Sequence, residues 1–163
     1  MNCTTIPPII ELDSYNGNYA EYENAIYNAY QSSFEDHRFF WNEKPIVQKK
    51  YPLLKGKPAT FWHIISSGSE EENRLPDLRR YERVTWPGYF LGYCKDNCDK
   101  LLVWKNKRNN KTRILLWCQP IDYLVVLEEH PTYCIFWTAY PIIYSHTKEK
   151  LKKEYYNYIK DNP

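Results

Sequence analysis

Three kinds of side chain in this sequence could act together on a phosphodiester. His63 lies in Phe61-Trp62-His63-Ile64-Ile65, an apolar setting that lowers an imidazole's pKa and favours the neutral form a base needs. Arg79, Arg80 and Arg83 follow Pro76-Asp77 at helical spacing, and their guanidinium forks match phosphate geometry while staying charged at any relevant pH. Thr138 and Tyr140 alternate in a strand-like run, which puts two hydroxyls on one face and Trp137 and Ala139 on the other. Each group alone has an ordinary explanation: a core histidine, arginines paired with Glu82 or the acidic loop, and two residue types that favour sheets. Together they contain what metal-independent RNA cleavage needs, namely a base for the 2′-hydroxyl, cations for the charged phosphorus centre and an acid for the leaving 5′-oxygen, with the hydroxyls of Thr138 and Tyr140 to hold phosphate oxygens.

The elements that must position these groups follow from periodicity. Tyr19, Tyr22, Ile26, Tyr27, Tyr30 and Phe34 recur at steps of three and four, which predicts an amphipathic helix over 18–36. Pro45 and Pro52 break the next stretch and leave room for a short strand, Ile46 to Lys49. Residues 59–65 are too few for periodicity to separate strand from helical turn. Pro76 and Asp77 favour a short helix that Pro87-Gly88 ends. From Leu101 the pattern changes to strands at 101–105, 112–119, 123–128 and 133–142, joined by polar turns, which predicts a four-stranded antiparallel β-meander. The tail from Ser145 to Lys160 reads as a basic helix with Leu151, Tyr155, Tyr158 and Ile159 for docking. The expected fold class is α+β in one domain, 1–163, with an N-terminal helical part over 1–44 and a core over 45–163.

Composition narrows the function classes. At 163 residues the chain suits one core, and 16 Tyr give it aromatic surfaces that tolerate water. No apolar run approaches a membrane span, and the N-terminus lacks a basic segment followed by an apolar one, so a cytoplasmic protein is expected. A net charge of +2 is too small for nonspecific electrostatics to explain binding, so local basic clusters matter more. Cys94 and Cys98 form a CxxxC that could supply half a zinc site, but no second pair follows, and no metal or other cofactor is expected.

The segments Thr60 to Ile65, Leu75 to Trp86, Leu115-Leu116-Trp117, and Tyr123 to Leu127 through Phe136 to Pro141 resemble the phage-associated branch of the barnase, EndoU, colicin and RelE-like nucleases over residues 45–160. The resemblance implies a helical part on a four-stranded antiparallel sheet and a metal-independent ribonuclease of toxins and mobile elements. It carries the family's histidine to His63, its arginine to Arg79, Arg80 or Arg83, and its terminal-strand Thr-Ala-Tyr to Thr138–Tyr140. The expected partners are RNA, tRNA or mRNA, and an inhibitor protein. The rival expectation is a noncatalytic module of the same fold, binding RNA or a protein. In its RNA-binding form Trp104 and Trp117 stack on bases while Lys105, Lys107 and Arg113 contact phosphate.

Overall fold

The computed structural model of the chain describes residues 6–163. The first five residues, on which the expectation of no secretory signal partly rests, and the side chain of Glu71 in the acidic loop lie outside it. Helix α1, Tyr19–Tyr30, starts at Asn18, whose side chain accepts a hydrogen bond from the Glu21 amide at 3.1 Å. Its buried residues Tyr22, Ile26 and Tyr30 are spaced by four, and Phe34 extends the series into a π-helical turn, Gln31–Glu35. A spacing of four drifts around an α-helix of 3.6 residues per turn. The wider winding of the π turn returns Phe34 to the buried face.

The buried tyrosines keep their hydroxyls satisfied. Tyr22 donates to the Ile10 carbonyl at 2.7 Å, Tyr30 to Gln48, and Tyr81 to a Glu23 carboxylate oxygen at 2.9 Å. A chain rich in Tyr can therefore build a dry core without orphaning these polar tips.

The protein is α+β. Its main sheet has six strands rather than four and is mixed, in the order Phe39–Trp41 (β1), Lys44–Gln48 (β2), Cys134–Pro141 (β8), Tyr123–Glu129 (β7), Lys111–Cys118 (β6) and Leu101–Arg108 (β5). Strands β1, Phe39–Trp41, and β2, Lys44–Gln48, form a hairpin whose turn residues Asn42 and Glu43 both have positive φ, 47° and 69°. Strand β2 then runs parallel to β8, Cys134–Pro141. The short strand expected at Ile46 to Lys49 is β2, which begins two residues earlier and includes Pro45, whereas β1 is too brief to be legible. Strands β5, Leu101–Arg108, β6, Lys111–Cys118, β7, Tyr123–Glu129, and β8 pair antiparallel in succession.

Both faces of this sheet are covered. On one face Ile114, Leu116, Tyr123, Val125, Leu127 and Phe136 meet α1 and the helical segments. On the other, Trp104, Leu115, Trp117, Leu124 and Val126 meet Leu151, Tyr155 and Tyr158 of the terminal helix α6, Ser145–Asp161, whereas Ile159 stays 39% exposed. That explains the near-continuous apolar run of β7.

Residues 59–65, whose type the sequence leaves open, form helix α2, Ala59–Ile64. A two-stranded hairpin follows, β3, Ser66–Ser67, with β4, Leu75–Pro76, so Pro76 belongs to a strand and Asp77 is the residue that caps α3, Leu78–Glu82, accepting from the Arg79 amide at 3.0 Å. Pro87-Gly88 does not end helical structure. It lies inside α4, Trp86–Tyr89, which continues through a π turn, Phe90–Cys94, into α5, Lys95–Asn97. Proline is tolerated there because it occupies the first turn. Gly88 is required by contact, since a Cβ on it would stand 2.0 Å from the Ser33 carbonyl oxygen.

One irregularity shapes the site. In β8 the register shifts between Phe136, opposite Leu127, and Thr138, opposite Val126, so Trp137 is the extra residue of a β-bulge. Strict alternation would put Trp137 with Ala139, away from Tyr140. Instead Trp137 packs with Tyr140 on the Trp104 face, and Ala139 lies in the opposite core.

Candidate functional site

Strand β2 leaves β8 after Gln48 pairs with Phe136, and α2 packs against the rest of β8 in its place. The half of β8 that carries the bulge thus faces side chains from several elements instead of another strand. Two adjoining grooves form there. The first, of about 910 Å³, is lined by Lys49, Trp62, His63, Arg74, Tyr81 and Trp137 among others. The second, of about 720 Å³, is bordered by Ser67, Arg79, Arg80, Tyr140, Tyr144 and Thr147 among others, and Pro76 borders both.

His63 lies on α2 with its ring centroid 5.6 Å from that of Trp137. Burial, first, and then the charges of Arg74, Arg80, Arg113 and Lys49 push its pKa down to about 3. The imidazole is therefore neutral at neutral pH, as the apolar flanks suggest. Four cations around one imidazole are what the sequence does not show.

The arginines have different occupations. Arg80 donates to the Ser66 carbonyl at 2.7 Å, its guanidinium lies 4.8 Å from the centre of the Tyr140 ring, and Asp77 is 3.7 Å from its Nε. Burial and the neighbouring Arg74 charge lower its pKa. Arg74 also donates to the Ser66 carbonyl, to the His63 carbonyl at 2.9 Å and to the Gly68 carbonyl at 2.8 Å, so it fastens the β3–β4 hairpin to the end of α2. Two guanidinium groups thus share one carbonyl oxygen, an arrangement that favours an anion nearby.

Arg113 on β6 stacks on Trp137, with its guanidinium carbon 4.0 Å from the ring centre, and pairs with Glu128 at 3.3 Å. Glu128 is 5% exposed and is also 2.9 Å from His130. The Lys49 ammonium lies 5.8 Å from the Trp137 ring centre.

The sequence-derived residues therefore divide. His63 lines the first groove, Arg79, Arg80 and Tyr140 border the second, and Arg80 joins the two through Ser66. Arg83 belongs to neither groove, because its guanidinium lies over Trp86 at 5.0 Å and pairs with Glu82 at 3.4 Å. Thr138 shares a face with Tyr140 but lines neither groove. Its Oγ1 is buried and, among the described residues, without a hydrogen-bond partner, so it cannot hold a phosphate oxygen as expected.

The RNA-binding set is corrected more sharply. Trp104 is 0% and Trp117 1% exposed, so neither ring is available to a base; both are core, where strand-period aromatics usually belong. Lys105 and Lys107 lie opposite Ile114 and Thr112, hence on the face away from Arg113, and Lys105 is engaged by Glu129 at 2.9 Å. Only Arg113 of that set reaches the grooves' cations.

Lys49, Arg74 and Trp137 complete the site without being singled out by the sequence. Arg74 lies in the short segment between the acidic loop and Pro76, which carries no pattern of its own, and Trp137 is hidden by the bulge. Among the described residues no group of three or more His, Cys, Asp or Glu side chains converges to hold a metal ion, and no helix is long and apolar enough to cross a membrane. Comparison with family models, curated proteins and solved structures finds no match.

Proposed function

We propose that the chain is a metal-independent RNA endonuclease of the kind its segments resemble, cleaving through attack of the 2′-hydroxyl. The observation that carries this is the neutral imidazole of His63 beside an aromatic wall and within the field of Lys49, Arg74, Arg80 and Arg113. In this reading the RNA backbone crosses the ridge at Arg80 with a nucleoside in the first groove. His63 accepts the 2′-hydroxyl proton, the oxygen attacks phosphorus, and the bond to the 5′-oxygen breaks as solvent water in the open groove protonates that oxygen; the imidazolium then returns its proton to solvent, leaving a 2′,3′-cyclic phosphate and a 5′-hydroxyl. Arg80 and Lys49 stabilise the charge that grows on the phosphoryl oxygens. A base with a pKa of about 3 is weak, but a bound phosphodiester cancels part of the surrounding positive charge that depresses it.

The low basicity of His63 also favours a second reading, a noncatalytic RNA-binding module using the same grooves. One experiment separates them: labelled RNA is incubated with the purified protein in EDTA, beside a substrate carrying a single 2′-deoxy position at the cut site. The nuclease reading expects cyclic-phosphate ends, resistance of the 2′-deoxy substrate, and a loss of roughly a hundredfold or more in rate for His63→Ala. Binding without cleavage supports the module. Products with a 5′-phosphate, or equal cleavage of DNA, overturn the mechanism.

A further inference from the structure

Cys98, which the sequence pairs with Cys94 by spacing, is brought by the fold to Cys118. Cys98 follows α5, and its Sγ lies 3.4 Å from the Sγ of Cys118 at the end of β6. The approach comes from strand register: Leu101 opens β5 opposite Cys118, so the three residues before it carry the chain back over the last residue of β6. Cys94, one turn before Cys98, is buried in the core and contributes its carbonyl to the Cys98 amide at 2.9 Å. Cys98 is partly exposed, whereas Cys118 is fully buried.

We propose that Cys98 and Cys118 form a thiol–disulfide exchange site, with Cys98 as the attacking thiol and Cys118 as the resolving one. The oxidant is a small-molecule disulfide such as oxidised glutathione. The Cys98 thiolate attacks one sulfur of the oxidant, forming a mixed disulfide and releasing one glutathione as thiolate. The Cys118 thiolate then attacks Cys98 Sγ, closing the protein disulfide and releasing the second glutathione. Two protein thiols are oxidised, one disulfide is reduced, and the two protons leave with the two glutathione molecules. The sulfurs need only close from 3.4 Å to the roughly 2.05 Å of a covalent bond. The product joins the helical segment 86–97 to β6 across one face of the sheet, closing a loop that spans the β5–β6 hairpin.

The test uses the full chain treated with oxidised glutathione, followed by intact mass, alkylation of the remaining thiols and peptide mapping. The expected result is loss of two hydrogens, a Cys98–Cys118 cross-link, and a Tm rise on the order of 5 °C or more over the reduced protein. The Cys118→Ser variant is expected to stop at the mixed disulfide on Cys98. The Cys98→Ser variant, altered at the more exposed sulfur, is expected to form neither product while keeping the reduced protein's Tm. A stable mixed disulfide in the wild-type chain, a Cys94–Cys98 link, or unmodified thiols under conditions that oxidise a control dithiol would each overturn the proposal.

Discussion

The depressed pKa of His63 has a consequence for stability that needs no assumption about RNA. In the unfolded chain the imidazole titrates near 6.5, and in the folded protein near 3. Above pH 6.5 both states hold it neutral and it contributes no pH dependence. As pH falls from 6.5 towards 3, the unfolded state takes up a proton that the folded state refuses, so stability declines through that window. From those two values the linkage amounts to about 2 kcal/mol between pH 7 and pH 5, and about 4 kcal/mol by pH 3.

Other groups titrate in the same range, so the informative quantity is a difference of differences. Urea unfolding of the wild type and of His63→Gln is measured at pH 7 and at pH 5. The substitution leaves the backbone carbonyl that Arg74 holds at 2.9 Å, and it removes the titrating ring. The wild type is expected to lose roughly 2 kcal/mol more than the variant over that interval. Equal losses would mean that His63 is solvated like an ordinary surface histidine, and the account of the four surrounding cations would fail with it.

Gly88→Ala is expected to destabilise the fold by about 2 kcal/mol or more in urea unfolding, because the new Cβ would meet the Ser33 carbonyl at 2.0 Å; a change within about 0.5 kcal/mol would show that α4 and the π turn separate freely. Trp104→Ala is expected to cost about 3–5 kcal/mol of stability without weakening RNA binding by the folded protein, and loss of affinity at unchanged Tm would return Trp104 to the binding surface. If RNA crosses the ridge, Arg80→Ala lowers the salt slope of binding by about one, measured by titration at several salt concentrations, while Lys107→Ala leaves it unchanged; the reverse pattern would move the interface to the other face of the sheet.

What the sequence shows of this fold is what period alone can show. Tyr22, Ile26, Tyr30 and Phe34 announce a helix because one face of it is buried, and the strand runs from Leu101 onward announce themselves by composition and turns. Strand β2 is read two residues late, and β1 and the parallel pairing of β2 with β8 escape, because three residues carry no period and a pairing partner leaves no local mark. His63 and Arg80 are legible from local setting and spacing. Thr138 is placed on the correct face but not at the correct depth, and Trp137 is misplaced, since a single bulge shifts a side chain across the pleat without a mark in the sequence. Trp104 and Trp117 are misread because an aromatic that packs and one that stacks on a base look alike until α6 is seen to cover them.

The cation cluster shows why the site could not be read from any one segment. Lys49 follows β2, Arg74 precedes β4, Arg80 sits on α3 and Arg113 on β6, so the like charges meet only because β2 leaves β8 and the shorter elements fill the gap. Local carboxylates offset part of that charge, with Glu128 on Arg113 and Asp77 near Arg80. Arg74 is oriented by the carbonyls of His63, Ser66 and Gly68 and by the Ser66 hydroxyl. The result is a set of four cations close enough to a partly buried, neutral ring to add to the effect of burial on its pKa. In the proposed reading a phosphate bound among these cations would also weaken their effect on His63, so that substrate binding and activation of the base would be one event.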